Sequence, residues 1–388
     1  MIQIDSKLPD VGTTIFTRMS VLAQQYGAVN LGQGFPDFDC DPLLLERMQS
    51  ALLHGHNQYA PMAGVPALRE EISRQIASLY GRTYDAATEI TITAGATQAI
   101  HTAISILVQP GDEVILFEPA YDSYDPSIRL NGGVPVRVRL HAPDYRPDWE
   151  AVRAALSSRT RAIIINTPHN PTARLWTAQD MQTLAELIKN TNVVVISDEV
   201  YEHMIFDGAR HESVVRHPAL AARAFVISSF GKAFHVTGWK IAYCCAPLDL
   251  MREFQKAHQF IVFCTHAPSQ YALADYLPQG AHLQLASFYQ RKRDLFLNAV
   301  ADCGLQWLPS QGSFFVSASF AHLEKQGDWP ALAFAEWLTR EVGVACIPLS
   351  SFYHDGFDEK VVRFCFAKKD ETLQEAASRL QRLKTMMV

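Results

Sequence analysis

The chain has 388 residues, 48% of them hydrophobic and 19% charged. That is enough apolar material for about two or three packed domains and excludes large-scale disorder. A net charge of -6 without a long Lys/Arg run argues against a nucleic-acid partner. No apolar stretch approaches the roughly 20 residues that cross a bilayer, so no membrane partner is expected. The N-terminus lacks the basic-then-apolar order of a secretory signal, and the seven cysteines are scattered without a CxxC pair. Both features predict a cytoplasmic protein with reduced thiols.

The first forty residues carry Gly32, Gly34 and Pro36 and read as an irregular, extended arm over 1–40, expected to join the small domain. From about residue 90, short apolar runs rich in β-branched residues recur at 90–93, 114–117, 134–140, 162–166, 193–197, 225–228 and 240–246. Several are apolar throughout, as strands covered on both faces are. Helical patterns lie between many of them. Residues 97–108 put Ile100, Ile104 and Leu107 on one side, and 177–189 do the same with Met181, Leu184, Leu187 and Ile188. The alternation predicts an α/β fold, with a mostly parallel seven-stranded sheet between helices in a large domain over 41–280. After residue 280 the rhythm changes. A helix over 283–302, strands at 313–317 and 361–367, a helix near 331–341 and a C-terminal helix predict a smaller α+β domain over 281–388.

Ligands of such sheets sit beyond the carboxyl ends of the strands. The run 90–93 leads into Ala94-Gly95-Ala96-Thr97 and then a helix. Small residues and a helix start suit an anion, although Thr97 as a plain N-cap is equally open. Run 114–117 leads to Glu118-Pro119-Ala120-Tyr121, whose ring suits stacking on a planar group or burial in the core. Run 162–166 ends in Thr167-Pro168-His169-Asn170-Pro171-Thr172, where two prolines stiffen the loop that carries Asn170. His169 has no partner at metal-ligand spacing, and no metal is expected. Run 193–197 ends in Asp198-Glu199-Val200-Tyr201. An acid there stays ionised only beside a cation; the alternative is an N-cap. Run 225–228 leads to Ser229-Phe230-Gly231-Lys232, with Thr237-Gly238-Trp239-Lys240 following; neither is a nucleotide-binding glycine loop.

An anion cradle, a stacking ring, an amide, an acid with a phenol, and a serine with a lysine would all be used by a phosphate-bearing aromatic aldehyde. Pyridoxal 5'-phosphate needs a lysine to form an imine and an acid to keep its ring nitrogen protonated.

The strings NLGQGFPDF (30–38), NTPHNPT (166–172), SDEVYE (197–202), SSFGK (228–232), TGWK (237–240) and VRFCFAKK (362–369) together resemble class I pyridoxal-phosphate aminotransferases. The resemblance is to the branch of kynurenine/glutamine and bacterial methionine aminotransferases, and it spans about residues 12 to 385. It implies fold type I and assigns roles residue by residue. Lys232 resembles the lysine that carries the cofactor and moves the proton. Asp198 would face the pyridine nitrogen, Tyr201 and Asn170 the ring 3-oxygen, and Tyr121 the ring face. Gly95, Ala96, Thr97, Ser229 and Lys240 would hold the phosphate. Tyr59 would reach the phosphate of a neighbouring subunit, which requires a homodimer. Arg363 and the backbone of Gly34 would take the substrate's α-carboxylate, and Phe16 would wall the side-chain pocket. Ala173 stands where the family often has glycine. The implied reaction is ping-pong transfer of an amino group from an apolar, sulfur-containing or aromatic amino acid to a 2-oxo acid. A carbon–sulfur β-lyase on the same scaffold and a non-catalytic, cofactor-binding regulator are the alternative readings.

Overall fold

The computed structural model describes residues 4–326 and 329–386. Among the described residues, thirteen strands form three sheets. The largest contains β2 (Ile90–Thr93), β3 (Glu113–Glu118), β4 (Val134–Arg139), β5 (Thr160–Asn166), β6 (Val194–Asp198), β7 (Ala224–Ser229) and β8 (Ala242–Cys245) in the order β2-β8-β7-β6-β5-β3-β4. Pairing is parallel from β7 through β4, and β8 runs antiparallel to both β7 and β2. This is the α/β fold the apolar runs imply. Each run matches a strand to within a residue or two at its ends.

Period-two alternation explains why those runs are apolar throughout. Val114 and Leu116 pack on one face with Ile164, Ile196, Ile227 and Phe254. Ile115 and Phe117 point to the other face, with Ile163, Ile165, Val195 and Val226. Both faces are dry along the central strands β3, β5, β6 and β7, so most of their side chains are apolar.

The remaining strands are β1 (Val29–Asn30), β9 (Gln306–Trp307), β10 (Phe315–Ser319), β11 (Val344–Ala345), β12 (Ile347–Pro348) and β13 (Val361–Cys365). Strands β12-β13-β10-β9 make an antiparallel sheet, and β1 pairs in parallel with β11. The long helix expected over 283–302 is a 3₁₀ turn at Ala281–Gln284 followed by a helix at Leu285–Val300. The helix expected near 331–341 is α-helical over Ala331–Trp337 and then widens into a π turn at Leu338–Val342.

The expectation of an irregular N-terminal arm is corrected by a 12-residue helix at Ile15–Tyr26. The Thr14 side chain caps it by accepting the Thr17 amide, and Gly27 at φ 59° closes it in the left-handed conformation. Met19 and Ala23, one turn apart, are its buried face. That stripe is too narrow to stand out beside the glycines that follow. The helix and β1 place this segment against the C-terminal part of the chain, where Arg18 pairs with Glu336.

Candidate active site

A cavity of about 240 Å³ opens at the carboxyl edge of the large sheet. Strands β2, β5, β6 and β7 end there, and β8 begins there because it runs the other way. Phe16, Gly34, Gly95, Ala96, Thr97, Tyr121, Asn170, Asp198, Tyr201, Ser229, Lys232, Lys240 and Arg363 all line it. Of the residues given a cofactor or substrate role from the sequence, Tyr59 alone lies elsewhere. It is 82% exposed and lies edge-on to Phe263, with ring centroids 5.1 Å apart.

Lys232 sits in the short helix Phe230–Ala233, directly after β7. Its Nζ donates to the Gly34 carbonyl oxygen at 3.0 Å and lies 5.4 Å from the Phe314 ring centroid and 5.9 Å from that of Tyr201. Burial pushes the ammonium down to about 8, with Arg363 and Lys240 adding repulsion. Nζ therefore gives up its proton far more readily than a surface lysine does.

Asp198 closes β6 and is only 4% exposed. Burial drives its carboxyl up to about 6. Hydrogen bonds from the Tyr124 hydroxyl and the Val200 amide pull the other way, as does the charge of Lys232. The carboxylate opens no helix; its Oδ1 accepts the Val200 amide within a turn, at 3.3 Å. An acid so desolvated is stabilised by any cation delivered through the cavity.

The turn after β2 forms one end of the cavity. Gly95, at φ 84°, is the N-cap of the helix Ala96–Leu107, and no side chain caps that helix. Thr97 is thus not its N-cap. The uncapped amides and positive dipole end of a 12-residue helix face the cavity beside Ser229 and Lys240. A Cβ on Gly95 would come within 3.1 Å of the Lys240 Cε and Nζ, so the glycine lets backbone and lysine close on one small space. Gln98 fixes the turn by accepting the Ala94 amide at 2.9 Å.

Arg363, on β13, reaches the other end. Its Nη1 donates to the Asn170 Oδ1 at 2.6 Å and its Nη2 to the Gly32 carbonyl at 3.2 Å. Nε is buried with no hydrogen-bond partner among the described residues. The guanidinium carbon lies 3.9 Å from the Phe315 ring centroid, 5.0 Å from that of Phe352 and 5.5 Å from that of Phe16. Both hydrogen-bond partners are neutral oxygens, so the full charge is held in an aromatic cage ready for an entering anion.

Asn170 is held in turn by its amide, which donates to the Asn166 Oδ1 at 2.7 Å, while Asn166 Nδ2 donates to the Asp198 carbonyl at 2.8 Å. Ala173 keeps the left-handed backbone that glycine takes more cheaply, at φ 60°.

Sequence reasoning missed Gln33, Phe35, Val200, Ile241 and Phe315, which also line the cavity. Gln33, Phe35 and Val200 fall inside the recognised strings, so the strings alone could have flagged them. Phe315 carries no local signal and is brought in by the pairing of β10 with β13. The approach of Tyr124 to Asp198 was likewise not visible in the pattern.

These residues fit pyridoxal phosphate. One end offers an uncapped helix start with a serine and a lysine for a phosphate. The middle offers a desolvated acid whose hydrogen-bond partners are a phenol and a backbone amide, and the lysine amine is nearby with its pKa lowered.

The Aminotransferase class I and II family matches residues 26–380. The chain is 50% identical to methionine aminotransferase of Escherichia coli strain K12, over 97% of this chain and 98% of that one. It is 35% identical to the kynurenine–oxoglutarate transaminase of Dictyostelium discoideum, over 96% and 94% of the two chains. A solved structure of an Escherichia coli protein with methionine aminotransferase function superposes with a TM-score of 0.96 at 48% identity, covering 98% of this chain and 100% of that one. The chain therefore belongs to the class I and II aminotransferases, and is a pyridoxal-phosphate enzyme that moves amino groups between amino acids and 2-oxo acids.

Proposed function

We propose that the enzyme takes its amino group from an apolar, methionine-like amino acid by a ping-pong mechanism. The observation that carries this reading is the balance of charge in the cavity. Among its described lining residues Arg363 is the single arginine, and the two lysines are given to the cofactor, while Phe16, Phe35, Val200, Ile241 and Phe315 supply apolar wall. One carboxylate is provided for and a second is not. The methionine aminotransferase function of the Escherichia coli relative supports the same donor.

When bound, the cofactor supplies an aldehyde and a ring that accepts negative charge from the substrate's α-carbon. The chain's own residues do the rest. Arg363 grips the α-carboxylate with its two-pronged donor, helped by the backbone at Gly34. Asp198 holds the proton on the ring nitrogen. Tyr201 and Asn170 would orient the ring oxygen, Tyr121 would cover the ring face, and the Gly95–Thr97 turn with Ser229 and Lys240 would anchor the phosphate. Lys232 Nζ would take the proton from the substrate's α-carbon and return it two atoms along, beyond the amino nitrogen. Phe16 and its neighbours keep water from that transfer.

We also propose a homodimer in which Tyr59 enters the neighbouring subunit's site. Its 82% exposure beside the half-exposed Phe263 supports that reading. The arm 1–40, a large domain 41–280 and a small domain 281–388 are the proposed divisions. Seven free thiols fit a reducing compartment such as the cytoplasm.

Half-reaction absorbance measurements with single amino acids test the donor. Methionine and phenylalanine should convert the cofactor faster than aspartate does. Faster conversion by aspartate overturns the proposal. Release of pyruvate and ammonia from a cysteine conjugate without a 2-oxo acid would favour a β-lyase instead.

A further inference from the structure

The Tyr124 hydroxyl donates to the Asp198 Oδ2 at 2.6 Å, and both side chains are buried, at 3% and 4% exposure. Tyr124 opens the short helix Tyr124–Leu130 and lies edge-on to Tyr121, with ring centroids 5.7 Å apart. The other carboxylate oxygen, Oδ1, has only a long bond of 3.3 Å from the Val200 amide. One oxygen is thus saturated by a short charge-assisted bond, and the other is left under-bonded. A carboxylate held in this way cannot rotate without losing its stronger bond.

We propose that Tyr124 is a positioning residue that fixes the Asp198 carboxylate and lowers its basicity, so that the proton shared with the cofactor ring stays on the ring nitrogen. The inference rests on the reading of Asp198 as the acid facing that nitrogen.

The physical reason is competition for one proton. Burial makes Asp198 more basic than an ordinary carboxylate, and the Glu199 charge adds to this. A basic acid beside the pyridine nitrogen draws the proton to itself, and the ring then loses its positive charge. The Tyr124 bond and the Val200 amide, with the charge of Lys232, oppose the shift. The phenol can serve throughout the neutral range. Burial and the Asp198 charge hold its own pKa well above the ordinary value, so it stays a donor. Tyr121 and Tyr201 also face it, and both are phenols whose pKa burial raises. No full cation among these groups could take its place.

The test compares Y124F with D198N and the unaltered holoenzyme. Y124F removes one oxygen and leaves the ring packing in place. Three quantities are read: the pH midpoint of the bound cofactor's visible absorbance, the dissociation constant of the cofactor, and kcat and KM for methionine. In Y124F the ring carries less positive charge, so the absorbance midpoint rises by about half a pH unit or more. In the same variant kcat falls about tenfold, the scale of one charge-assisted hydrogen bond, and KM stays within about twofold. An absorbance midpoint that stays put or falls in Y124F overturns the proposal, as does an unchanged kcat. D198N guards the reading beneath it. If D198N itself leaves kcat and the absorbance midpoint unchanged, the Asp198 assignment fails, and Tyr124 fails with it. A severe D198N defect beside a silent Y124F sinks the Tyr124 role alone. Equal thermal unfolding midpoints for cofactor-free Y124F and unaltered protein exclude a folding defect; a Y124F chain that does not fold identifies the hydroxyl as structural and overturns the proposal.

Discussion

Arg363 and Asn170 meet through a 2.6 Å hydrogen bond although they stand 193 positions apart in the chain. The bond ties β13 of the smaller sheet to the loop after β5. The cation that would receive the substrate carboxylate and the amide that would orient the cofactor therefore move as one unit. Asn170 Oδ1 is consumed by this bond, which leaves its NH₂ group as the side's available donor.

Replacing the fork tests that unit. R363K keeps the charge and loses the planar pair of donors. The expected result is a KM for methionine raised about 10- to 100-fold, the span of one or two charge-assisted hydrogen bonds, with a smaller loss in kcat. Steady-state kinetics with cofactor saturating gives the answer. An unchanged KM would remove Arg363 from the carboxylate role.

Asp198 predicts a pH-dependent stability in the cofactor-free protein. Its carboxyl rises from 3.8 to about 6 on folding. A raised acid contributes stability that is fully present below the unfolded value and is lost as pH climbs through the folded one. Asparagine cannot titrate. D198N should therefore gain on the unaltered protein between about pH 4 and pH 6, by on the order of 2–3 kcal/mol, and hold the gain above that. Urea unfolding at several pH values measures the difference. A gap that does not grow with pH would mean that Asp198 is stabilised in the cofactor-free fold.

Gly95 offers a test of the phosphate end. Its φ of 84° is costly for any L-residue, and a Cβ would press on the Lys240 side chain at 3.1 Å. G95V should weaken pyridoxal-phosphate binding at least about tenfold, with the circular dichroism of the cofactor-free chain little changed. Equilibrium dialysis of the cofactor separates this from a general loss of structure. Unaltered affinity would place the phosphate elsewhere.

Tyr59 bears on assembly. Sedimentation should give twice the 43.3 kDa chain mass. In Y59F the dimer should persist while the cofactor's dissociation constant rises about tenfold, as expected when a hydrogen bond to a charged group is lost. A monomeric active enzyme would contradict both statements.

The sequence by itself determined the strands of the large sheet and the points where they end. Each strand is read from its own apolar run, because burial on both faces demands one. Lys232, Asp198, Asn170 and Tyr121 were legible for the same reason, since polar residues that follow such runs stand at the sheet edge. Their grouping into one site owed as much to resemblance as to pattern. Tertiary structure alone decided the rest. Gly34 meets Lys232 across 198 positions and Tyr124 meets Asp198 across 74, and Phe315 joins the cavity only because β10 pairs with β13. The helix at Ile15–Tyr26 draws its stability from a face packed against distant residues, so the arm alone reads as irregular. Local periodicity records which face of a segment is dry. It does not record which distant segment covers that face, and the site is built from that covering.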